Sequence, residues 1–82
     1  MIVVNITVPG LENVYNMNIE EEVTVKEIIE EVSELISQKE HTELRGEIDE
    51  MILGSKDLGI VLRKEKKLSD YGIRTGAELI LV

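Results

Sequence analysis

The spacing of apolar residues changes from two positions to three and four near residue 24, and this change limits the possible folds. Between residues 2 and 20, apolar and mostly polar residues alternate on both sides of Pro9-Gly10. This period predicts a β-hairpin with one buried face, whose loop contains Pro9, Gly10 and Asn13. The apolar residues that follow at helical spacing are Val25, Ile28, Ile29, Val32, Leu35 and Ile36. A helix is therefore expected after the hairpin.

The start of this helix has a signature of its own. Thr24 is followed three residues later by Glu27, a capping-box pair in which each side chain can accept a hydrogen bond from the other residue's backbone N–H. The opposite face should be in water, since it carries Glu27, Glu30, Glu31 and Glu34. No proline marks the end of the helix, which is expected between Ile36 and Gly46.

In the rest of the chain, short apolar runs predict three strands, at residues 50–53, 60–62 and 77–82. They are separated by Gly54, Gly59, Gly72 and Gly76. The resulting order, ββαβββ, is an α+β arrangement in which one helix covers one face of a small mixed sheet. Because the chain has only two aromatic residues, branched aliphatic side chains must fill the core.

Length and composition narrow the class of protein. A chain of 82 residues with 17 acids and 9 bases is expected to form one acidic domain spanning residues 1–82. It has no Cys, which excludes disulfides and thiolate metal sites. No apolar run approaches the roughly 18 residues of a membrane span, and no basic residue precedes the first apolar stretch. A cytoplasmic protein is the expectation.

The charge is concentrated in the first part of the chain. Residues 1–50 carry thirteen acids and three bases. A field of this sign repels phosphate, so nucleic acid is not an expected partner. The exception would be a local basic patch formed by Arg63, Lys64, Lys66 and Lys67, although a solvated turn explains these residues better.

No catalytic constellation is recognisable. Gly54 and Gly59 have the spacing of a phosphate-binding loop, but Ile60 and Val61 follow where Lys and Ser or Thr are required, so a turn is predicted. The sole histidine, His41, lies in a polar segment, and no serine lies in a nucleophile elbow. The acids show no calcium-loop spacing. Neither an enzyme nor a metal or other cofactor is expected.

The segment Leu68-Ser69-Asp70-Tyr71-Gly72-Ile73 resembles the ubiquitin superfamily at the turn before the last strand. The likeness extends to residues 24–32, 51–56 and 78–82, and so covers nearly the whole chain. It implies a ubiquitin-like β-grasp fold. It also implies that Tyr71 is a half-buried phenol whose hydroxyl bonds a nearby backbone group.

One departure from that superfamily affects the expected function. Conjugated modifiers and sulfur carriers end in a flexible Gly-Gly tail, whereas this sequence stops at Ile80-Leu81-Val82, so covalent transfer is not expected. The sequence looks most like the YukD or EsaB type, accessory proteins of bacterial type VII secretion. The matching residues are Leu68, Ser69, Asp70, Ile73 and Gly76.

The remaining source of function is the surface. Ile52, Ile80 and Val82 alternate with a presumed core set of Met51, Leu53, Leu79 and Leu81. They are predicted to form a protein-binding patch on the sheet face away from the helix, and Leu11 is expected at its border by the same resemblance. The alternative is that these side chains pack under a loop or against a second copy.

Two functional hypotheses remain open. The first is a non-enzymatic interaction module, monomeric or weakly dimeric, that docks onto a larger secretion machine. The second is a modifier or sulfur carrier that acts through its C-terminus. An activating enzyme with ATP separates the two, because only the second would form an adenylate or thioester.

Overall fold

The computed structural model describes residues 1–41 and 50–82. The first half contains β1 (Ile2–Val8), β2 (Asn13–Ile19) and α1 (Val25–Glu40). The second half contains β3 (Leu53–Ser55), β4 (Ile60–Val61) and β5 (Glu78–Leu81). Two short 3-10 segments, Pro9–Leu11 and Leu68–Tyr71, connect β1 to β2 and precede β5.

The five strands form one mixed sheet in the order β2-β1-β5-β3-β4. β1 pairs with β2 and β3 pairs with β4 in antiparallel fashion, and β5 lies between β1 and β3. The β1–β5 pair is parallel, with Ile6 opposite Leu79. The α+β β-grasp architecture predicted from the sequence is therefore confirmed.

Capping residues stabilise both ends of α1. The Thr24 hydroxyl accepts a hydrogen bond from the Glu27 backbone N–H at 3.3 Å. His41 closes the helix with a left-handed backbone and donates its N–H to the Ser37 carbonyl. The acidic helix face points into solvent, as predicted: Glu27, Glu30, Glu31 and Glu34 are all exposed.

The core lies between α1 and the facing side of the sheet. Among the described residues it consists of Val, Ile and Leu side chains together with Tyr15 and Met51, and it includes the four residues predicted to be buried: Met51, Leu53, Leu79 and Leu81. Each fully buried aliphatic side chain contributes about 1.5–3 kcal/mol relative to an exposed one.

The third strand differs from its predicted bounds. The segment expected at residues 50–53 forms its ladder at Leu53–Ser55 instead, so Gly54 lies inside a strand and does not separate two of them. The neighbouring strands determine this position, because Gly54 pairs with Val61 of β4 on one side and with Ile80 of β5 on the other. The other strands lie within one or two residues of prediction.

Candidate functional site

The strand register determines which residues share the sheet face that points away from α1, called here the outer face. Ile6 and Leu79 are opposite each other and buried, so their neighbours Thr7 and Ile80 must lie on the other side. Ile80 is in turn opposite Gly54, which is opposite Val61. These positions cross the sheet in one row.

Apolar side chains dominate one end of the outer face. Ile52 is 40% exposed, Val61 is 62% exposed and Val82 is 58% exposed. Ile80 is half-buried between them. We call Ile52, Val61, Ile80 and Val82 the outer patch. Large side chains left in water on neighbouring strands are typical of protein-binding surfaces.

Two features shape the outer patch. A Cβ atom at Gly54 would lie 3.2 Å from Cγ2 of Ile80, so glycine allows Ile80 to lie close to the sheet. Ile52 and Val82 are tied together by two backbone hydrogen bonds, from Ile52 N–H to the Val82 carbonyl at 2.7 Å and from Val82 N–H to the Ile52 carbonyl at 2.9 Å. The backbone that carries Ile52 and Val82 is therefore held in place by hydrogen bonds.

Polar groups border the outer patch. The Lys56 ammonium donates to the Thr7 hydroxyl at 2.7 Å, across the strand that carries Ile80. Farther along the face, the Asn5 amide donates to the Glu78 carboxylate at 3.3 Å. An apolar centre with a polar rim is the usual composition of a docking surface.

Three of the four residues predicted for the site share this face, and the fourth does not. Ile52, Ile80 and Val82 lie together on the outer face, whereas Leu11 is half-buried in the first 3-10 turn and packs against the core. Sequence reasoning missed Val61. The available signal was its alternation with Leu62, which is buried.

The motif shared with ubiquitin-like proteins has structural roles here. The Tyr71 hydroxyl accepts a hydrogen bond from the Arg63 backbone N–H at 3.0 Å, which confirms its predicted role. The Asp70 carboxylate accepts from the Lys67 N–H at 2.9 Å and closes the 3-10 turn. Gly72 takes the left-handed conformation, with φ of 69°, that ends this turn.

The other chemical candidates also have structural explanations. Gly59 donates its N–H to the Ser55 carbonyl at 2.8 Å with φ of 68° and so closes the β3–β4 turn, whereas Gly54 lies within β3. His41 caps α1. Within residues 1–41 and 50–82, no three His, Asp or Glu side chains come together as a metal site. In the same residues no helix is long and apolar enough to span a membrane.

Two ionisable side chains have shifted pKa values for identifiable reasons. Burial raises the pKa of the Tyr15 phenol, and its hydrogen bond to the Glu40 carboxylate at 2.8 Å acts in the same direction. The pKa of Glu21 is lowered by its own backbone N–H and then by the terminal ammonium at 3.2 Å. Both are anchoring contacts away from the outer patch.

The amino-acid sequence matches a known protein family over nearly its whole length. A sequence model of the family described as "WXG100 protein secretion system (Wss), protein YukD" matches residues 3–81. The chain belongs to the YukD family. The match covers nearly all of this YukD-family chain, and the resemblance seen in the sequence is thereby confirmed. A search of curated proteins finds no significant match.

Solved structures resemble the chain in fold. The ubiquitin-like domain of an Arabidopsis thaliana protein superposes with a TM-score of 0.73 at 20% identity, covering 99% of this YukD-family chain and 74% of that domain's chain. The N-terminal ubiquitin-like domain of the 4931431F19Rik protein gives 0.72 at 23% identity, with coverage of 99% and 72%. ATBAG1, solved in complex with HSP70, gives 0.70 at 16%, with coverage of 100% and 40%. At these low identities the likeness is one of fold alone, and the TM-scores show that the fold is ubiquitin-like.

Proposed function

We propose that this protein is a non-enzymatic accessory component of a WXG100, or type VII, secretion system and that it docks onto another component through the outer patch. The family description supplies the secretion context. The observation that carries the proposal is the cluster of Ile52, Val61, Ile80 and Val82 on one exposed sheet face. Binding would remove these side chains from water, which is the main driving force of protein association.

The electrostatics fit a role in recognition. The acidic side chains of α1 lie on the far side of the molecule from the outer patch, whose border carries Lys56. The outer patch would therefore meet an apolar partner surface with acidic groups at its rim, while α1 attracts basic surfaces during encounter. The cysteine-free composition suits the reducing cytoplasm, where we place the protein.

Substitution in the outer patch tests this proposal in a bacterium that encodes the protein. We expect the pair Ile52→Ser and Val82→Ser to reduce export of the WXG100 substrate, measured by immunoblotting of culture supernatant. Ile52 is 40% exposed and Val82 is 58% exposed, and neither belongs to the buried core, so folding should be little affected. A matched control is Leu58→Ser, since Leu58 is 49% exposed but lies in the β3–β4 turn.

Export by the two kinds of variant distinguishes a specific role of the outer patch from a general effect of surface substitution. Reduced export with Ile52→Ser and Val82→Ser, at wild-type protein level and melting temperature, would support the outer patch. Unchanged export would refute it. Equal loss with Leu58→Ser would show that export responds to any surface change.

The competing possibility is a modifier or sulfur carrier, which the ubiquitin-like fold raises. We propose that the protein acts without conjugation, because the exposed side chains of the outer patch offer a surface for non-covalent docking. Incubation with the host's activating enzymes and ATP, followed by intact-mass spectrometry, should show the unmodified protein. An adenylate, a thioester or a thiocarboxylate on this chain would refute the non-covalent role.

A further inference from the structure

A crevice lies between the β3–β4 turn and the loop that leads into β5, and we call it the turn crevice. It has a volume of about 260 Å³ and is lined by Ser55, Asp57 and Leu58 on one side and by residues 71–77 on the other. A cavity of about 150 Å³ holds benzene, whereas drug-sized ligands occupy about 300–1,000 Å³. The turn crevice therefore has room for one aromatic group.

Hydrogen bonds hold one wall of the turn crevice in shape and join it to β5. In the β3–β4 turn, Gly59 donates its N–H to the Ser55 carbonyl at 2.8 Å, and Leu58 donates its N–H to the Ser55 hydroxyl at 3.1 Å. The Glu78 N–H of β5 donates to the Asp57 carboxylate at 2.9 Å. A site that is formed before binding loses little conformational entropy when it is filled.

Apolar surface lies in the turn crevice and beside it. The Tyr71 hydroxyl is already bonded to the Arg63 N–H, so the half-buried ring is the part of this residue left for contact. Leu58 is 49% exposed, and Ile60, which lies opposite Ser55 in the strand pair, is 43% exposed. Large apolar side chains left in water beside a concave site are typical of protein-binding surfaces.

Two charged groups line the turn crevice, and both can take a further contact. One oxygen of the Asp57 carboxylate accepts the Glu78 N–H, and the other has no partner in the part of the chain that the structure describes. The exposed Arg74 guanidinium forms no hydrogen bond or ion pair with the described residues. Because these two charges are opposite, the turn crevice favours an uncharged ligand with one donor and a ring on which the guanidinium can stack.

An indole ring meets these requirements, since it is uncharged, carries one N–H donor for Asp57 and can contact both Tyr71 and Arg74. We propose that the turn crevice binds a single tryptophan side chain of a partner protein, whose neighbouring residues cover Leu58 and Ile60. Tryptophan is among the residues that most often anchor protein interfaces. The turn crevice contains no residue of the outer patch, and the inference does not rest on the proposed role in secretion.

A tryptophan peptide tests the inference with the intact chain. The probe is Ser-Val-Trp-Val-Ser, acetylated and amidated at its ends, and the chain itself contains no tryptophan, so indole fluorescence reports on the probe alone. We expect a saturable blue shift of this fluorescence with a dissociation constant below about 5 mM. In NMR spectra of the protein, the shifted backbone amides should be those of residues 57–58 and 71–77.

Two related ligands show which part of the probe is recognised. The same peptide with leucine in place of tryptophan should bind at least about fivefold more weakly, because it loses the contacts of the ring with Tyr71 and Arg74. N-acetyltryptophanamide should also bind at least about fivefold more weakly, because it leaves Leu58 and Ile60 in water. Both affinities are measured from the amide shifts of the protein.

Variants of the chain locate the site. Leu58→Ser should weaken binding of the probe at least about fivefold. Leu35→Ser is the matched control, since Leu35 is 44% exposed but lies on α1, and it should leave binding unchanged. The pair Ile52→Ser and Val82→Ser should bind the probe as the wild type does, while Leu58→Ser should leave export unchanged. The inference and the proposed function can therefore fail independently.

The opposite results would overturn the inference. These are the absence of saturation up to about 5 mM probe, amide shifts confined to the outer patch, or equal weakening by Leu58→Ser and Leu35→Ser. Binding of N-acetyltryptophanamide as tight as that of the peptide would also overturn it, because the ligand would then be a small aromatic molecule and not a protein.

Discussion

Tyr71 joins the turn before β5 to the chain after β4 through a single hydroxyl group. Its oxygen accepts the Arg63 N–H at 3.0 Å, and its ring packs against the core. Arg63 lies eight residues away in sequence, so this bond holds a long irregular connection in one shape. Within the most specific sequence motif of the chain, Tyr71 thus has a structural role.

Tyr71→Phe tests this role. Removal of the hydroxyl leaves the Arg63 N–H without its protein partner, and we expect a loss of about 1–2 kcal/mol in the free energy of unfolding. Urea denaturation followed by circular dichroism measures the loss. A change below the error of the measurement would show that water replaces the hydroxyl without cost.

Glu40→Gln tests the electrostatic contact at Tyr15. The raised pKa of Tyr15 favours the neutral phenol in the folded state. Its contribution to stability is therefore complete below the ordinary tyrosine pKa of about 10 and is lost as pH rises through the raised value. We expect Glu40→Gln to lower the pKa of Tyr15, measured by absorbance at high pH. An unchanged titration would assign the whole shift to burial.

At the scale of elements, the position of α1 depends on local sequence signals, whereas the position of β3 depends on pairing with neighbouring strands. α1 begins at its cap because Thr24 satisfies a backbone donor of the first turn. β3 has no such local signal, and its three residues become a strand because β4 and β5 pair with both sides. Short strands therefore depend on the sheet in a way that a capped helix does not.

Thr24→Ala tests the helix cap. Loss of the hydroxyl leaves the Glu27 N–H to water, and we expect the protein to lose about 0.5–2 kcal/mol of unfolding free energy. Thr24→Ser keeps the acceptor and should retain most of the stability. Thermal denaturation of both variants provides the measurement, and equal losses would attribute the effect to the missing methyl group.

At the scale of the whole molecule, strand alternation alone separates the core face of the sheet from its outer face. Ile52 and Leu53 are adjacent, yet Ile52 is exposed and Leu53 is buried against β5 and α1. All the acidic residues of the exposed helix face lie on the opposite side of the molecule from the outer patch. The protein can thus present two chemically different surfaces at once.

This separation predicts very different losses of unfolding free energy for substitutions at two adjacent residues. Leu53→Ala should cost about 2–5 kcal/mol, because it leaves a cavity in the core. Ile52→Ala should cost less than about 1 kcal/mol. Chemical denaturation compares the two, and similar costs would mean that Ile52 also belongs to the core.

Local sequence signals were enough to predict the hairpin, the capped helix, the turn before β5 and the alternation of Ile80 and Val82 with buried neighbours. Periodicity and capping act over a few residues, so they can be recognised without the fold. Three features required the folded chain: Gly54 lies inside β3, Val61 lies beside Ile80 on the outer face, and Leu11 packs on the core. These features depend on residues far apart in the chain, and strand pairing alone brings such residues together.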